Sequence, residues 1–349
     1  MEWALAILGI QGVLGAYDNF RNHEFQAGLP HRQSQWLELL LHAVREGLYC
    51  VLFPTMAWLE WRGWLAGVLA ALIVAELVVT CWDFVEEDRT RTLSANERVL
   101  HTLLTLNYGA FLALFVPVLV QWGTMPAELA VVPRGMWSWL MTVYSLGVLV
   151  FGVRELVAGL AHWRRRNGAA STQSVHRRAL GGRFDAMPAP IRLVHAAPGV
   201  TLSGSVEVSP APTLAGRWLL GFMGLPRLAG SHSLVVRVLA DGDGELWERR
   251  FADATFASRF QAAGVPEQAR EYFGPFRLDY QLAAENGEIR WSLVGARLFG
   301  VPLPKALAPE VTAREWVADD GAYRMKAQVS LPGLGPLLGY GGSLAPISS

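Results

Sequence analysis

Five apolar stretches in the N-terminal half of the chain are long enough to form helices that cross, or nearly cross, a lipid bilayer. Such a helix needs about 20 consecutive apolar residues. Tryptophans cluster near the ends of these stretches, as the membrane–water interface favours. The predicted helices are Trp3–Asn22, Ser34–Trp58, Trp64–Phe84, Asn96–Trp122 and Met136–Trp163. This pattern predicts a multidomain membrane protein that begins with an α-helical transmembrane bundle over residues 1–166.

The pattern changes after residue 166. A small, polar linker is predicted over 167–180, and the short apolar segments of 181–345 are typical of strands. Asn286-Gly287 lies between two such segments, which is a strong signal for a β-hairpin. The predicted strands include Val200–Val208, Leu234–Leu239, Phe276–Leu282, Ile289–Leu293, Arg290–Leu298, Val311–Val317 and Tyr323–Val329. We therefore expect a soluble, antiparallel β-rich (α+β) domain whose sheet can curve into an open barrel.

Composition supports this division and excludes some classes of protein. Hydrophobic residues make up 52% of the chain and charged residues only 17%, compared with about 25% charged residues in a soluble domain. The net charge is zero, so we expect no nucleic-acid partner. Two cysteines are too few for a disulfide framework or a cysteine-ligated zinc site.

Arginines are distributed unevenly among the predicted loops. One set of loops carries most of them, and the opposite loops carry only Arg62 and Arg134. The richer set comprises Arg21, Arg32, Arg89, Arg91, Arg98, Arg164, Arg165, Arg166, Arg177 and Arg178. By the positive-inside rule, the C-terminal domain is predicted to be cytoplasmic, in a protein integral to a bacterial inner membrane.

Ionisable residues form stripes on the predicted helices. Residues four apart, or three and four apart, share a helix face. The stripes are Glu38, His42 and Glu46, then Glu76, Asp83 and Glu87, then Glu97 and His101. An ionised group near the bilayer centre costs about 2.5 kcal/mol or more. These residues therefore require partners, which the sequence alone leaves open.

A metal ion is the first interpretation of the stripes. Helical bundles build two-metal carboxylate sites from inward-facing carboxylates and imidazoles, and such ligands suit iron, manganese or zinc. The predicted ligands are Glu38, His42, Asp83, Glu87, Glu97 and His101, with Glu46 and Glu76 as second-shell or proton-handling groups. Both Glu-His pairs are spaced Glu-x-x-x-His rather than the Glu-x-x-His of di-iron proteins, which weakens the analogy.

Two other interpretations compete with the metal. In the first, Arg45, Arg89, Arg91 and Arg98 neutralise the acids in a structural polar network. In the second, His42 and His101 bind haem between them. His176 lies beside an arginine cluster and is expected at the surface.

The C-terminal half contains several short motifs in a defined order. They are Trp247–Phe251, Glu271–Pro275, Gly300–Pro304, Pro332–Gly335 and Tyr340–Gly342. Because these motifs occur in this order, the chain from about Leu180 to Leu344 resembles the domain of unknown function 4166. That family name implies no activity.

A pocket in the C-terminal domain is predicted to bind substrate. Trp247, Arg249, Glu271 and Glu315 are the candidate lining residues. In the alternative interpretation, the arginines and glutamates instead pair across the sheet. A curved sheet with an apolar interior suits a lipid or other amphiphile from the membrane.

Together these observations favour a membrane-embedded, metal-dependent enzyme that acts on a lipid or hydrophobic small molecule at the cytoplasmic face. Whether the chain is an enzyme stays open at this point. The alternatives are a non-catalytic, membrane-anchored lipid-binding or scaffold protein and a haem-binding membrane protein.

Overall fold

The computed structural model describes residues 1–168 and 170–347, and the chain divides into two compact units. The first unit comprises residues 1–19 and 33–166. The second comprises residues 20–32 and the chain from residue 167 onward. The predicted linker over 167–180 thus lies within the second unit, except for Ala169, which is outside the described residues.

The first unit is helical. Within the described residues, its long helices are α1 (Glu2–Asp18), α2 (Trp36–Trp58), α3 (Leu65–Thr90), α4 (Ala95–Gly123) and α5 (Met136–Arg165). They coincide with the five predicted stretches, although α1 ends at Asp18 and is followed by a π-helix over Asn19–Ala27. Three of them, α3, α4 and α5, are long and apolar enough to cross a membrane.

Local sequence explains several features of these helices. The Ser94 hydroxyl accepts a hydrogen bond from the backbone N–H of Glu97 at 3.2 Å and so caps the start of α4. Glycine lets α2 and α5 approach closely, because a Cβ atom on Gly159 would lie 2.9 Å from Leu40 Cδ2. Two short strands, β1 (Leu59–Trp61) and β2 (Leu129–Val131), pair antiparallel and tie two of the interhelical loops together.

The second unit is an antiparallel β-barrel. Its strands are β3 (Thr201–Pro210), β4 (Gly230–Asp241), β5 (Gly244–Arg250), β6 (Thr255–Ala262), β7 (Gln268–Phe273), β8 (Phe276–Glu285), β9 (Glu288–Leu298), β10 (Val301–Pro302), β11 (Glu310–Val317), β12 (Tyr323–Leu331) and β13 (Gly335–Pro346). The order β9-β11-β12-β13-β3-β4-β5-β6-β7-β8 returns to β9, because β8 also pairs with β9. The predicted antiparallel sheet is thus confirmed, and this pairing closes it into a barrel.

The predicted hairpin at Asn286-Gly287 is confirmed. These residues form the two-residue turn between β8 and β9, with φ angles of 52° and 77°. A type I′ turn needs positive φ at both central positions, which asparagine and glycine tolerate best.

Alternating residues of the strands point into the barrel. On β4, Leu234, Val236 and Val238 are buried, as period-two alternation requires. Three short helices precede the strands, namely α6 (Val175–Leu180), α7 (Gly182–Asp185) and α8 (Ala189–Val194), and α9 (Leu214–Phe222) lies between β3 and β4. Helices α6 to α9 each bury at least one apolar side chain in the barrel core.

Residues 20–22 were predicted as the end of the first helix and 23–32 as part of the connection to the second, but all of them pack in the barrel unit. The ring of Phe25 lies 5.5 Å from that of Phe273. A guanidinium nitrogen of Arg32 donates to Glu248 at 2.9 Å. A Cβ atom on Gly274, where φ is 53°, would lie 2.6 Å from Phe25. Glycine therefore allows this segment to approach the barrel closely.

Candidate functional site

Arg91 contacts three of the acids that were predicted to bind metal. Its guanidinium nitrogens lie 3.0 Å from Glu38, 2.9 Å from Glu87 and 2.8 Å from Glu97. All three carboxylates are buried. The structure thus brings these acids together, with an arginine among them.

A second ion pair involves Asp83. Arg45 Nη1 lies 2.8 Å from Asp83 Oδ2, and His42 Nε2 lies 3.2 Å from the same oxygen. The other ring nitrogen of His42 is 3.5 Å from Glu155 Oε2. Both nitrogens of His42 therefore face carboxylates.

His101 has similar surroundings. Its Nε2 lies 3.2 Å from Asp18 Oδ2, and its Nδ1 lies 3.6 Å from Glu87 Oε2. Two imidazoles whose nitrogens face carboxylates are suited to ion pairing more than to axial ligation of haem.

Glu46 and Glu76, the predicted proton-handling groups, accept hydrogen bonds from neutral donors. Asn19 Nδ2 donates to Glu46 at 3.0 Å, and the Thr80 hydroxyl donates to Glu76 at 2.8 Å. Both carboxylates are buried. Taken together, these contacts favour the structural polar network, and the metal assignment in the helices stays a prediction.

The barrel encloses the second candidate site, a cavity of about 440 Å³. The four residues predicted to bind substrate, Trp247, Arg249, Glu271 and Glu315, all line it. Most of the remaining lining is aliphatic or aromatic and includes Leu202, Phe222, Met223, Val236, Phe256, Leu278, Met325, Val329 and Leu344. The sequence-based prediction therefore placed four polar or amphipathic residues that do meet at one cavity.

Arg249 is buried in the wall of this cavity. Its Nη1 donates to the Ser258 hydroxyl at 2.8 Å. Its guanidinium carbon lies 5.5 Å from the ring centroid of Trp247, 5.3 Å from that of Phe256 and 5.6 Å from that of Phe260. Such cation–π contacts are favourable but do not neutralise the charge. Within residues 1–168 and 170–347, no carboxylate forms an ion pair with Arg249.

Two tyrosines accompany Arg249 and Glu271 at the cavity. The Tyr280 hydroxyl donates to Glu271 Oε2 at 3.0 Å. Burial and the Glu271 charge raise the pKa of Tyr280 well above its ordinary value. Burial also raises the pKa of Tyr340, against the opposing effect of the Arg249 charge. Both phenols are therefore neutral donors at physiological pH.

Glu315 lies at the centre of a separate buried cluster. Its Oε2 is 2.5 Å from His195 Nε2 and accepts from the Tyr323 hydroxyl at 3.0 Å. Its Oε1 accepts from Trp291 Nε1 at 3.0 Å. Burial would raise the pKa of Glu315, but His195 lowers it well below its ordinary value. Glu315 is thus an ionised carboxylate in the barrel wall.

His176 completes this cluster, and its predicted surface position is wrong. The side chain is buried at 2% exposure, with its ring stacked 3.5 Å from that of His195. Its Nε2 is 3.6 Å from Glu315 Oε1, which is beyond hydrogen-bonding distance. Burial, together with neighbouring His195, lowers the pKa of His176, so the imidazole is held neutral.

Sequence analysis overlooked His195 and misplaced His176, because neither lies in a periodic pattern. His176 is on the six-residue helix α6, and His195 follows α8 of the same length. Helices this short carry little amphipathic signal. Val175, Ala179 and Leu180 on the same helix are apolar and buried, so these residues were a signal in the sequence that α6 packs inward.

The comparison with known proteins concerns the barrel. Residues 187–344 match the family model of DUF4166, a domain of unknown function. This match confirms the resemblance inferred from the motifs. No curated protein matches the chain significantly.

Proposed function

We propose that the barrel binds an amphiphile with an apolar chain and an acidic head group, and that the long helices anchor it to a membrane. The observation that carries the proposal is the buried, unneutralised Arg249 in the wall of an otherwise mainly apolar cavity. This is the non-catalytic, lipid-binding alternative from the sequence, made specific in its ligand.

The lining of the cavity suits an apolar chain. Its volume of about 440 Å³ falls in the range of roughly 300–1,000 Å³ that small-molecule sites occupy. Burying the aliphatic and aromatic walls against an apolar chain removes apolar surface from water, which stabilises the complex by about 25 cal/mol per Å². A few polar groups then orient the ligand, and the donors among them include Arg249 and Tyr340.

Arg249 suits an acidic head. An ionised group without a counterion is costly to bury, and a hydroxyl, a backbone carbonyl at 3.5 Å and three rings offset only part of that cost. Arginine has five N–H donors in a planar fork that matches a carboxylate or phosphate. A bound carboxylate would neutralise the charge inside the barrel.

The helices support membrane anchoring. Many large apolar side chains are exposed on α3, α4 and α5, among them Val78, Leu106, Val143 and Val150. Apolar surface of this extent on a water-exposed helix would be unfavourable. Insertion of all five helices, with the barrel on the arginine-rich cytoplasmic side, remains part of the proposal.

The test uses the full-length protein in amphipol, which provides neither bilayer nor micelle to absorb the probe. The probe is cis-parinaric acid, a fluorescent fatty acid, and its uncharged methyl ester is the companion ligand. Arg249→Leu should weaken binding of the acid about 10–150-fold, the equivalent of a charged hydrogen bond of about 1.5–3 kcal/mol. Binding of the ester should be nearly unchanged.

Two further variants sharpen the result. Arg250→Leu is the matched control, because Arg250 is the next residue on β5 and is exposed. Ala327→Phe fills the cavity that Ala327 lines and should abolish binding of both probes. Binding that is unaffected by Ala327→Phe, or an acid affinity that is equal in Arg249→Leu and the wild type, would contradict the proposal.

A second candidate is the metal-dependent membrane enzyme. One observation favours it, since Asp18, Glu97 and His101 each offer a ligand atom, and these atoms lie within 4.8 Å of one another. The helices of purified protein should then hold one or two metal ions, and the His42→Ala/His101→Ala double variant should lose these ions. Unchanged metal content in that variant would sink this candidate.

A further inference from the structure

We propose that His176, His195 and Glu315 form a binding site for one divalent first-row transition-metal ion in the wall of the barrel. This site is separate from the residues predicted to bind metal in the helices. It also goes beyond amphiphile binding, because it does not depend on what occupies the cavity.

The three residues come from different parts of the barrel unit. His176 lies on α6, His195 directly follows α8, and Glu315 is on β11. Each offers one ligand atom, and the three atoms lie within 4.8 Å of one another. The side chains are buried at 2%, 3% and 7% exposure. Tertiary folding thus collects two imidazoles and a carboxylate around one small space.

His176 supplies a second, independent observation. Within the described parts of the chain, neither of its ring nitrogens has a hydrogen-bond partner. A neutral imidazole has one donor and one acceptor nitrogen, and leaving such a group unsatisfied in the interior is unfavourable. A metal ion bound to the free lone pair would remove part of that penalty.

Glu315 is held as a metal ligand would be. The Tyr323 hydroxyl and Trp291 Nε1 each donate to its carboxylate at 3.0 Å. Carboxylate ligands are usually oriented by such outer hydrogen bonds, which fix their geometry and tune the metal. The 2.5 Å contact between Glu315 and His195 would have to open, and the stacked rings of His176 and His195 would have to turn, so that all three ligand atoms could face a common ion.

The donor set indicates the class of ion. Two histidines and one carboxylate suit iron(II), zinc and related ions, and leave coordination positions for other ligands. His176 and Glu315 line the cavity, so an open position would face the space assigned to the amphiphile. A hard ion such as calcium prefers six to eight oxygen ligands and is not expected here.

The experiment uses the full-length protein, stripped of metal with a chelator and titrated with Co²⁺ alone. Cobalt(II) in a site with nitrogen ligands gives visible d–d absorption bands that report on its coordination. The wild type should bind about one ion with such bands and unfold at a higher temperature when loaded, since a ligand stabilises the state that binds it. No saturable binding by the wild type would overturn the proposal.

Variants assign the bound ion to its residues. His176→Gln and Glu315→Gln should each weaken Co²⁺ binding by more than the roughly 10–100-fold that loss of an outer partner costs. His232→Gln is the matched control, because His232 is buried in the same barrel but lies outside the cluster. Equal binding in His176→Gln and His232→Gln would overturn the proposal.

Two safeguards keep the result interpretable. Glu315→Gln and His176→Gln remove different ligands, so if one variant fails to fold, the other still tests the site. The wild-type spectrum tests it without any variant. The His42→Ala/His101→Ala protein should retain the barrel ion. Binding of parinaric acid by metal-free protein tests the amphiphile proposal separately, so either proposal can fail alone.

Discussion

In the helical unit, Arg91 is ion-paired with three buried carboxylates, whereas in the barrel the buried guanidinium of Arg249 contacts the Ser258 hydroxyl, a backbone carbonyl and three aromatic rings. The helical charges satisfy one another within the fold. The charge of Arg249 faces a cavity and has no carboxylate partner in the described chain. The comparison shows that a buried arginine paired with carboxylates stabilises the fold, whereas a buried arginine that faces a cavity is available to bind a ligand.

The sharpest test of this comparison removes each arginine. Arg91→Leu should lower the free energy of unfolding by about 3–5 kcal/mol, because three carboxylates lose a buried partner. Arg249→Leu should leave stability unchanged or slightly higher, because it removes a buried charge and strands no carboxylate. Apparent unfolding temperatures of the full-length variants, followed by tryptophan fluorescence, measure both effects. Equal destabilisation by the two substitutions would erase the distinction.

An intermediate effect is expected at Arg45. Arg45→Leu removes one partner of Asp83, but His42 Nε2 remains 3.2 Å from that carboxylate. We expect a loss of about 1–3 kcal/mol, typical of one buried polar group that loses a hydrogen bond. The same unfolding measurement applies, with exposed Arg89→Leu as the control. A loss as large as that of Arg91→Leu would show that His42 does not support Asp83.

The smallest effect is expected at the barrel surface. Burial raises the pKa of Asp243, but hydrogen bonds from Arg259 and Gln261 outweigh it and lower the pKa below its ordinary 3.8. The stabilisation is therefore present above the unfolded-state pKa and is lost as the pH falls through the folded-state value. Because Asp243 is largely exposed, we expect at most about 1 kcal/mol.

Asp243→Asn tests this acid sensitivity. Unfolding temperatures of the variant and the wild type should converge as the pH falls below about 3.8 and differ slightly at neutral pH. Asp319→Asn, at an exposed aspartate, is the control. A difference between Asp243→Asn and the wild type that persists at low pH would point to packing and not to charge.

The long apolar stretches and the hairpin turn were predictable because each is a local signal. Helix α5 was predicted over Met136–Trp163 and observed over Met136–Arg165. Asn286-Gly287 forms the predicted turn. Trp247, Arg249, Glu271 and Glu315 were named from motifs, and all line the cavity. In these cases, residue type and period carry the information.

Long-range contacts were not predictable in the same way. Arg91 was one of four arginines proposed to neutralise the acids, and nothing in its spacing singled it out as the partner of three. Residues 20–32 looked like a helix end and a simple connection and instead pack on the barrel. Both outcomes depend on pairs of residues far apart in the chain.

The sequence by itself determined where helices and strands form, that the chain has an apolar half and a β-rich half, and which family the second half matches. Only the tertiary structure decided that β8 and β9 close the barrel, that no carboxylate of the described residues pairs with Arg249, and that His176 joins His195 and Glu315. The physical reason is the distance along the chain over which each effect acts. Propensity and periodicity act over a few neighbouring residues, whereas burial and charge pairing are settled by strands and helices that meet only in the folded chain.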